Sequence, residues 1–269
     1  MIVVTGATGK LGGLVVEDLL GRVPASEVAV VARALGKAAG YFDRGVDVRQ
    51  GDYEDPGSLR IAFEGADVLL FVSSPDTTPG TRPRQHKNVV DAAVDAGVGR
   101  IVYTSAINAQ NAPGFLADHT VTEKLLTASG VPHTFLRNTF YQETVLNPGL
   151  KAVVDAGVLR AADGGRPVNF ASIADLALGA SATLTGDGHA GAVYELRGPL
   201  WTFADLADVL TSVSGRPVSY EAGEGEQGSA FLHDLVASGF FAEPSGDLEK
   251  LIGRPPAGLR AGVEKALGA

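Results

Sequence analysis

The chain has 269 residues and a formal net charge of −9, and apolar residues make up 45% of it. This composition is typical of a globular protein, and the negative charge argues against a nucleic-acid backbone as the main partner. The lack of cysteine excludes disulfides, thiolate metal sites and a cysteine nucleophile. The five histidines show no metal-ligand spacing, and no apolar run approaches membrane-spanning length. Since the first apolar run starts at residue 2, which leaves no room for a signal peptide, we expect a cytoplasmic protein with no membrane partner and no metal.

Three glycines follow the first apolar run of the chain. Met1 to Val4 indicates a buried strand, and Gly6, Gly9 and Gly12 come directly after it. The segment that follows has helical apolar periodicity, which predicts a helix with an inner face of Leu11, Val15, Val16, Leu19 and Leu20. Free backbone N–H groups and the positive end of the helix dipole then suit a pyrophosphate. The pattern predicts a dinucleotide site, although a tight strand–helix turn without a ligand is the alternative. The contacts expected from this turn are Gly6, Thr8, Gly9, Lys10, Leu11 and Gly12.

The end of the second strand predicts which dinucleotide binds. The buried run from Glu27 to Ala32 ends at Arg33. An NAD site usually places a carboxylate here to bind the ribose 2′-hydroxyl, whereas a guanidinium can hold a 2′-phosphate through paired, charge-assisted bonds. Lys37 would add a second positive charge. NADPH is therefore favoured over NADH, unless Arg33 and Lys37 are ordinary surface residues after a strand.

Strands and helices continue to alternate along the chain. Strands are expected at 46–50, 67–72, 100–104 and 133–136, with helices capped by Asp55 and spanning 83–96 and 120–129. This alternation predicts an α/β fold with a Rossmann-type doubly wound parallel sheet. Ligands of such sheets bind beyond the carboxyl ends of the strands. The polar residues at those ends, which we expect near the cofactor, are Asp52, Tyr53, Ser73, Ser74, Thr104, Ser105 and Asn138.

The C-terminal half is less regular. Expected there are a helix over 148–158, a strand over 168–171, a helix capped by Ser172, a strand over 193–196 and a helix capped by Thr202. The acidic, glycine-rich segment from Glu221 to Gly228 predicts an exposed loop. We therefore expect an NAD(P)-binding Rossmann core over residues 1–140. Residues 141–269 would contribute late core elements and a small substrate-binding lobe.

Several motifs together resemble the atypical short-chain dehydrogenases of the NmrA-like group. They are Thr5 to Gly12, Val46 to Tyr53, Tyr103 to Ser105, Thr122 to Lys124 and Phe135 to Asn138. More closely, the chain resembles the type 2 NAD(P)H:quinone oxidoreductases and the related triphenylmethane dye reductases, through almost its whole length. Its tail between Val236 and Leu248 looks shorter than in those relatives. The resemblance implies an NADPH-binding core, a small C-terminal lobe and a cleft between them for a flat organic acceptor.

The catalytic pattern of this group lacks one residue here. Ordinary short-chain dehydrogenases use Tyr-x-x-x-Lys, in which the tyrosine exchanges a proton with the substrate oxygen and the lysine lowers its pKa. Lys124 occupies the lysine position, but Thr120 stands where the tyrosine would be. A threonine hydroxyl is far too weak an acid to replace a tuned phenol. Reversible alcohol–ketone chemistry is therefore not expected, unless Tyr141 or His119 supplies the proton.

A quinone or a cationic dye needs no such relay. A quinone accepts hydride readily and its oxygen can take a proton from water, so the protein has only to hold the two reactants close and dry. We therefore predict hydride transfer from NADPH to a quinone or similar flat acceptor. Lys124 would position the nicotinamide ribose, unless it is a solvated helix lysine paired with Glu123 or another neighbour. Asn138 would border the nicotinamide, and Tyr141 and Phe140 the acceptor, unless these are plain loop or core residues.

Two other functions stay open at this point. An NmrA-like redox sensor would bind the dinucleotide without turnover and signal through a partner, and the missing tyrosine suits that role equally well. A reductase on the same scaffold could instead act on an activated double bond or an imine. A homodimer is compatible with the sequence, because an apolar subunit interface and a substrate cleft have the same amino-acid composition.

Overall fold

The computed structural model describes residues 1–223 and 230–269. These residues form two compact units that each use separate stretches of the chain. The first unit comprises Met1–Asn138 and Leu176–Glu195, and the second comprises Thr139–Asp175 and Leu196–Ala269.

The strands are short and are spread along the whole described chain. They are β1 (Ile2–Val4), β2 (Val28–Ala32), β3 (Asp47–Gln50), β4 (Val68–Phe71), β5 (Arg100–Ala106), β6 (His133–Asn138), β7 (Val158–Ala161), β8 (Val193–Leu196) and β9 (Ser219–Ala222).

The helices alternate with these strands. They are α1 (Lys10–Leu19), α2 (Ala39–Phe42), α3 (Pro56–Ala62), α4 (Thr81–Asp95), α5 (Ala117–Ser129), α6 (Leu150–Ala156), α7 (Ile173–Thr185), α8 (Phe203–Ser214), α9 (Ala230–Ala237), α10 (Asp247–Ile252) and α11 (Leu259–Leu267). Short 3₁₀ helices lie at Ala25–Glu27, Leu35–Ala38, Ala109–Asn111, Gly114–Leu116 and Gln142–Thr144.

Seven of the described strands form one sheet in the order β3-β2-β1-β4-β5-β6-β8. The neighbours from β3 to β6 pair in parallel. Along β8, the Phe135 amide bonds to the Ala192 carbonyl and the Thr139 amide to the Leu196 carbonyl. This equal offset shows that β8 runs the same way as β6. The predicted doubly wound parallel sheet is therefore confirmed, and its strand order reverses at β1, where ligands of such folds bind.

The sheet is built from the apolar runs of the sequence. Val3, Leu69 and Ile101 on three of its strands are fully buried, as expected for parallel strands covered on both faces. Helix α1 presents the predicted apolar face, with Leu11, Val15, Val16 and Leu19 buried. Leu20, also predicted for that face, lies just beyond the helix and is only half-buried.

Side-chain caps begin three helices where the sequence predicts them. The Asp55 carboxylate accepts hydrogen bonds from the Gly57 and Ser58 amides, at 3.0 and 3.2 Å, at the start of α3. The Ser172 hydroxyl accepts from the Asp175 amide at the start of α7. Thr202 and Asp205 form a reciprocal capping box on α8. These caps satisfy helical N–H groups that have no partner within the helix.

The C-terminal half differs from the sequence-based prediction in three places. The helix expected over 148–158 ends at Ala156, because Gly157 takes a left-handed φ of 70°, and Val158 begins β7. The strand expected over 168–171 is wrong, since Val168 and Ala171 form only isolated bridges. The parallel pair β7–β9 was not predicted. Four-residue strands with half-exposed faces carry too short a pattern to be recognised.

The structure describes only the beginning of the segment from Glu221 to Gly228, which was expected to be an exposed loop. Glu221 and Ala222 belong to β9, and residues 224–228 lie outside the described residues. Among the helices that the structure describes, none is long and apolar enough to cross a membrane. The described residues also contain no group of three or more histidine, aspartate or glutamate side chains able to hold a metal ion.

Candidate functional site

The glycine turn, which we define as Gly6 to Gly12, connects β1 to α1 by a close approach of backbone to backbone. Gly6 has a φ of 62°, a conformation that favours glycine. A Cβ atom on Gly12 would lie 2.4 Å from the carbonyl oxygen of Gly6. The Gly9 amide closes the turn by donating to the same oxygen at 2.9 Å. The geometry of the turn therefore requires glycine at Gly6 and Gly12, whereas Gly9 takes part through its backbone amide.

Helix α1 begins at this turn with its N-terminus open. Gly9 is the residue before the first helical turn and supplies no side chain to cap it. Thr8, Gly9 and Lys10 are exposed, whereas Leu11 packs into the core. The first N–H groups of a helix have no partner within it, and they coincide with the positive end of the dipole. This end of α1 has the form of an anion-binding site.

Tyr53 ties the turn to the neighbouring strand. Its hydroxyl lies 2.6 Å from both the Thr5 hydroxyl and the Val72 carbonyl oxygen. Burial raises the pKa of Tyr53 well above its usual range. Asp52, the preceding residue, accepts from the Glu54 amide and so shapes its own loop. The Tyr53 hydroxyl thus joins the ends of β1 and β4, and its ring packs edge-on against Phe71.

Arg33 follows β2 directly and is exposed, as is Lys37 in the 3₁₀ helix that comes next. An open cleft of about 760 Å³ is lined by Arg33, by Gln50 and Asp52 at the end of β3, and by Ser58 of α3. A guanidinium at the rim of a cleft of this size can reach a phosphate group inside it.

Ser73 and Ser74 follow β4, and both are held by the protein. The Ser73 amide donates to the Thr104 hydroxyl at 2.9 Å. The Ser74 amide donates to His86 Nε2, and its hydroxyl donates to Gln85. The Ser74 side chain is therefore a structural donor, which leaves Ser73 as the more accessible hydroxyl of the pair.

Buried imidazoles lie behind this loop. His119 Nδ1 is 2.7 Å from the Tyr103 hydroxyl, and His86 Nδ1 is 2.7 Å from the Thr122 hydroxyl. Burial lowers the pKa of His86 to about 2 and that of His119 to about 3, and the nearby Arg82 charge adds to the effect. Both rings stay neutral at ordinary pH. His119 is consequently unsuited to donate a proton to a substrate.

A chain of charged groups joins the carboxyl ends of β5, β6 and β8. Ser105 donates to Glu123 Oε1 at 2.6 Å, and Arg137 binds both oxygens of Glu123, at 2.9 and 2.7 Å. Arg137 also donates to Glu195 at 3.0 Å. We call Ser105, Glu123, Arg137 and Glu195 the strand-end ion cluster. Its hydrogen bonds, that to Glu123 first, raise the pKa of Arg137 above its usual range.

Thr120 and Lys124, which occupy the two positions of the Tyr-x-x-x-Lys pattern, lie one turn apart on α5. Thr120 donates its hydroxyl proton to the Ala109 carbonyl oxygen. Lys124 is exposed. Its suggested partner Glu123 is instead paired with Arg137, so the alternative of a Glu123–Lys124 pair does not hold. Lys124 thus remains available on the surface of α5.

Asn138 ends β6 with an unpaired acceptor. Its Oδ1 atom is buried and has no hydrogen-bond partner in the described structure, while its backbone carbonyl accepts from the Ile107 amide. A buried polar atom without a partner is costly, so a ligand N–H group would relieve it. Together with the uncapped N-terminus of α1, this unpaired acceptor fits a dinucleotide ligand.

Phe140 and Tyr141 belong to the second unit. Phe140 packs against Phe241 and Phe170 with ring centroids 5.1 and 6.3 Å apart, but it stays half-buried. Tyr141 is also half-buried, and burial raises its pKa. A partly open ring supported by other aromatic side chains can stack with a flat molecule.

Two largely buried arginines, Arg82 and Arg137, were not predicted from the sequence. Arg82 lies on α4, where it donates to the carbonyl oxygens of Ser74 and Phe115. Arg137 was noted only as part of a motif. A charged residue within an apolar strand, at Phe135-Leu136-Arg137, is the signal that could have found it, because a buried charge requires a partner.

Comparison with known proteins places this geometry in a family. Residues 6–182 match the model of a family described as NAD(P)H-binding. Quinone oxidoreductase 2 of Escherichia coli is 39% identical, over 98% of this chain and 97% of its own. The structure of the Citrobacter sp. triphenylmethane reductase complexed with NADP(H) is 38% identical, with a TM-score of 0.95, covering 99% of this chain and 100% of that one.

A second solved structure agrees with the first. An NADPH-dependent quinone oxidoreductase of Escherichia coli, complexed with NADPH, is 38% identical with a TM-score of 0.90, and 98% of this chain and 99% of that chain are covered. The similarity therefore extends beyond the nucleotide-binding half to nearly every residue. This chain belongs to the NAD(P)H-binding family, as an oxidoreductase of the atypical short-chain dehydrogenase group.

Proposed function

We propose that this protein transfers hydride from NADPH to a quinone or a similar flat, electrophilic acceptor without a proton relay of its own. The observation that carries the proposal is the state of two hydroxyl groups. Thr120, at the position of the relay tyrosine, donates to the Ala109 carbonyl, and Ser105 near the end of β5 donates to Glu123, so both hydroxyl protons are already committed within the protein. An acceptor that takes its proton from water fits this arrangement.

NADPH would lie along the carboxyl ends of the first unit's strands. The open N-terminus of α1 and the glycine turn would bind the pyrophosphate, with Thr8 and Lys10 at its rim. Arg33, supported by Lys37, would bind the 2′-phosphate. Of the remaining strand-end residues, Asp52 and the Tyr53 ring border the adenosine side, and Ser73 and Ser74 follow β4 at the next strand end.

The nicotinamide end of the site would be held by Asn138 and Lys124. The buried Asn138 Oδ1 would accept a hydrogen bond from the carboxamide, and Lys124 would bind the ribose. The bound nicotinamide supplies a hydride from C4, and its ring then carries a positive charge. The contribution of the protein is to orient the two reactants and exclude water, an effect that can account for several kcal/mol of the barrier.

The acceptor would contact Phe140 and Tyr141 in the second unit, which we propose as a substrate-binding lobe. The half-open Phe140 ring offers a flat surface, and the aromatic side chains behind it keep it in place. The names of the similar proteins, a quinone oxidoreductase and a triphenylmethane reductase, support an acceptor of this shape.

The decisive experiment measures NADPH oxidation by the pure protein with a simple quinone and, separately, with a cationic triphenylmethane dye. A blank without acceptor and a parallel series with NADH serve as references. Acceptor-dependent oxidation that prefers NADPH supports the proposal. Tight NADPH binding with no turnover of either acceptor would overturn it in favour of a redox sensor.

Arg33→Glu tests the cofactor assignment in the same assay. Affinity for NADPH should fall by about 10- to 100-fold, the value of a charge-assisted phosphate contact, while affinity for NADH changes little. Arg22→Glu is the matched control, since Arg22 is an exposed arginine of the same unit that pairs with Asp18. Equal losses for both cofactors in Arg33→Glu would remove the 2′-phosphate argument.

A further inference from the structure

Two short segments of the second unit lie side by side in parallel. Tyr141 and Ala171 form a parallel bridge, and the Ala171 amide donates to the Phe140 carbonyl oxygen at 3.2 Å. The Thr139 hydroxyl donates to Asn169 Oδ1 at 2.7 Å, across an equal offset of 30 residues. One register is therefore held by a backbone contact and by a side-chain contact.

The side chains of these segments alternate between two sides. Successive side chains of an extended segment point in opposite directions. On one side, the Thr139 hydroxyl meets the Asn169 amide, and both side chains are buried. On the other side, the Phe140 and Phe170 rings stack with centroids 6.3 Å apart, and Phe140 stays half-buried. The buried hydrogen bond thus fixes the direction in which the segment presents its phenylalanine ring.

The Asn169 amide also holds the segment behind that ring. Its Nδ2 atom donates to the Glu243 carbonyl oxygen at 2.7 Å. Since a carbonyl oxygen can only accept, the amide nitrogen faces this carbonyl and the amide oxygen faces the threonine. Phe241, two residues earlier, packs against Phe140 with ring centroids 5.1 Å apart. Arg197 donates to the same carbonyl at 3.0 Å, so this side of the network has a second anchor.

We infer that the hydrogen bond between Thr139 and Asn169 holds the Phe140 ring in the orientation in which it stacks with the acceptor, which makes Asn169 a positioning residue of the acceptor site. The inference rests on the proposed function for the place of the acceptor. A ring that is already held in its binding orientation loses little conformational entropy when a flat molecule stacks on it. Without the hydrogen bond, the segment gains other orientations, and the need to order it lowers the affinity for the acceptor.

The test measures acceptor binding without turnover. Trp201 is the only tryptophan of the chain, and its ring packs edge-on against Phe170 with centroids 5.9 Å apart. A quinone stacked on Phe140 therefore lies near a single fluorophore, whose emission it quenches. Titration of the purified protein with menadione, a small naphthoquinone, gives the Kd for the acceptor. The Kd for NADPH is measured separately, from the fluorescence of the cofactor.

Thr139→Val removes the hydroxyl and keeps the shape of the side chain. The Kd for menadione should rise about threefold to tenfold, the value of one hydrogen bond, while the Kd for NADPH stays within about twofold of the wild-type value. Thr139→Ser restores the donor and should bind menadione as the wild-type protein does. Thr134→Val makes the same change at a fully buried threonine of the first unit, which donates to the His189 carbonyl at 2.7 Å, and should change neither Kd.

Two further variants complete the series. Phe140→Ala removes the ring itself, so the Kd for menadione should rise at least as much as in Thr139→Val. Asn169→Ala breaks the same hydrogen bond from its other side. It takes the place of Thr139→Val if melting curves show that the latter does not fold.

An unchanged Kd for menadione in folded Thr139→Val or in Phe140→Ala overturns the inference, as does an equal rise in Thr139→Ser or Thr134→Val. Such a result leaves the proposed function standing if the wild-type protein reduces menadione with NADPH. If the wild-type protein binds menadione but does not reduce it, the proposed function fails, and the Kd values still decide the inference. A wild-type protein that neither binds nor reduces menadione overturns both.

Discussion

The glycine turn and the strand-end ion cluster lie in the same unit and at the same edge of its sheet, yet they are built in opposite ways. The turn is local, because Gly6, Gly9 and Gly12 contact one another within a few residues. The cluster is assembled across the sheet, and its Arg137–Glu195 bond joins residues 58 positions apart. The turn works through the absence of side chains, whereas the cluster works through buried charge.

This difference predicts which property of the protein a substitution in each region changes. A turn that depends on close backbone contact has no room for added atoms. A substitution that distorts the turn should therefore lower the affinity for the cofactor phosphates. In a cluster of paired charges, removing one partner leaves a buried charge uncompensated. Such a substitution should therefore lower the free energy of unfolding. Substitutions in the turn should therefore lower NADPH affinity as well as stability, whereas substitutions in the cluster should lower mainly stability.

The largest expected effect is on stability, at the cluster. Arg137→Met leaves the carboxylates of Glu123 and Glu195 buried without their partner, which should cost about 3–5 kcal/mol of unfolding free energy. Arg22→Met, which breaks the exposed pair with Asp18, is the control and should cost less than about 1 kcal/mol. Urea unfolding of both variants measures the two losses. Similar small losses would show that the cluster is not held as a buried ion pair.

The next largest effect belongs to the glycine turn. Gly12→Ala places a Cβ 2.4 Å from the Gly6 carbonyl oxygen, and a backbone atom cannot move aside cheaply. We expect a loss of about 3 kcal/mol in stability and a fall of more than about tenfold in NADPH affinity. Gly40→Ala, where nothing lies within 4 Å of the added Cβ, is the matched control and should change neither. NADPH affinity that survives in Gly12→Ala would separate the turn from the phosphate site.

A smaller effect comes from the buried imidazoles, which like the cluster are assembled from distant elements. His119 has a pKa lowered from 6.5 to about 3 by burial, so between these pH values the unfolded chain binds a proton that the folded chain does not. Stability from this group is therefore present above pH 6.5 and falls as the pH decreases towards 3. The slope is at most about 1.4 kcal/mol per pH unit.

His119→Asn isolates this contribution. The asparagine amide can replace Nδ1 as the partner of the Tyr103 hydroxyl but does not titrate. Carboxylate titrations are common to both proteins, so they cancel in the difference. Unfolding free energies measured in urea at pH 7, 6 and 5 should fall more steeply for the wild-type protein than for the variant. Parallel curves would mean that His119 is not held neutral.

The same contrast explains what the sequence could and could not predict. Asp55, Ser172 and Thr202 were identified as caps because a cap acts within three residues of its own position. The turn and the buried strands were equally local. Glu123, by contrast, lies in the polar stretch Thr120 to Lys124 and has the sequence signature of a solvated helix residue. Its partners come from β5 and β6, and no local pattern contains them.

The smallest expected effect tests whether Thr120 has any catalytic part. Thr120→Ala removes one hydrogen bond to the Ala109 carbonyl, so stability should fall by about 1 kcal/mol or less. Because that hydroxyl proton is already committed, kcat with a quinone should change less than about twofold. Thr127→Ala removes a comparable bond, to the Glu123 carbonyl on the same helix, and is the control for stability. A collapse of kcat in Thr120→Ala alone would show that the Thr120 hydroxyl itself takes part in the reaction.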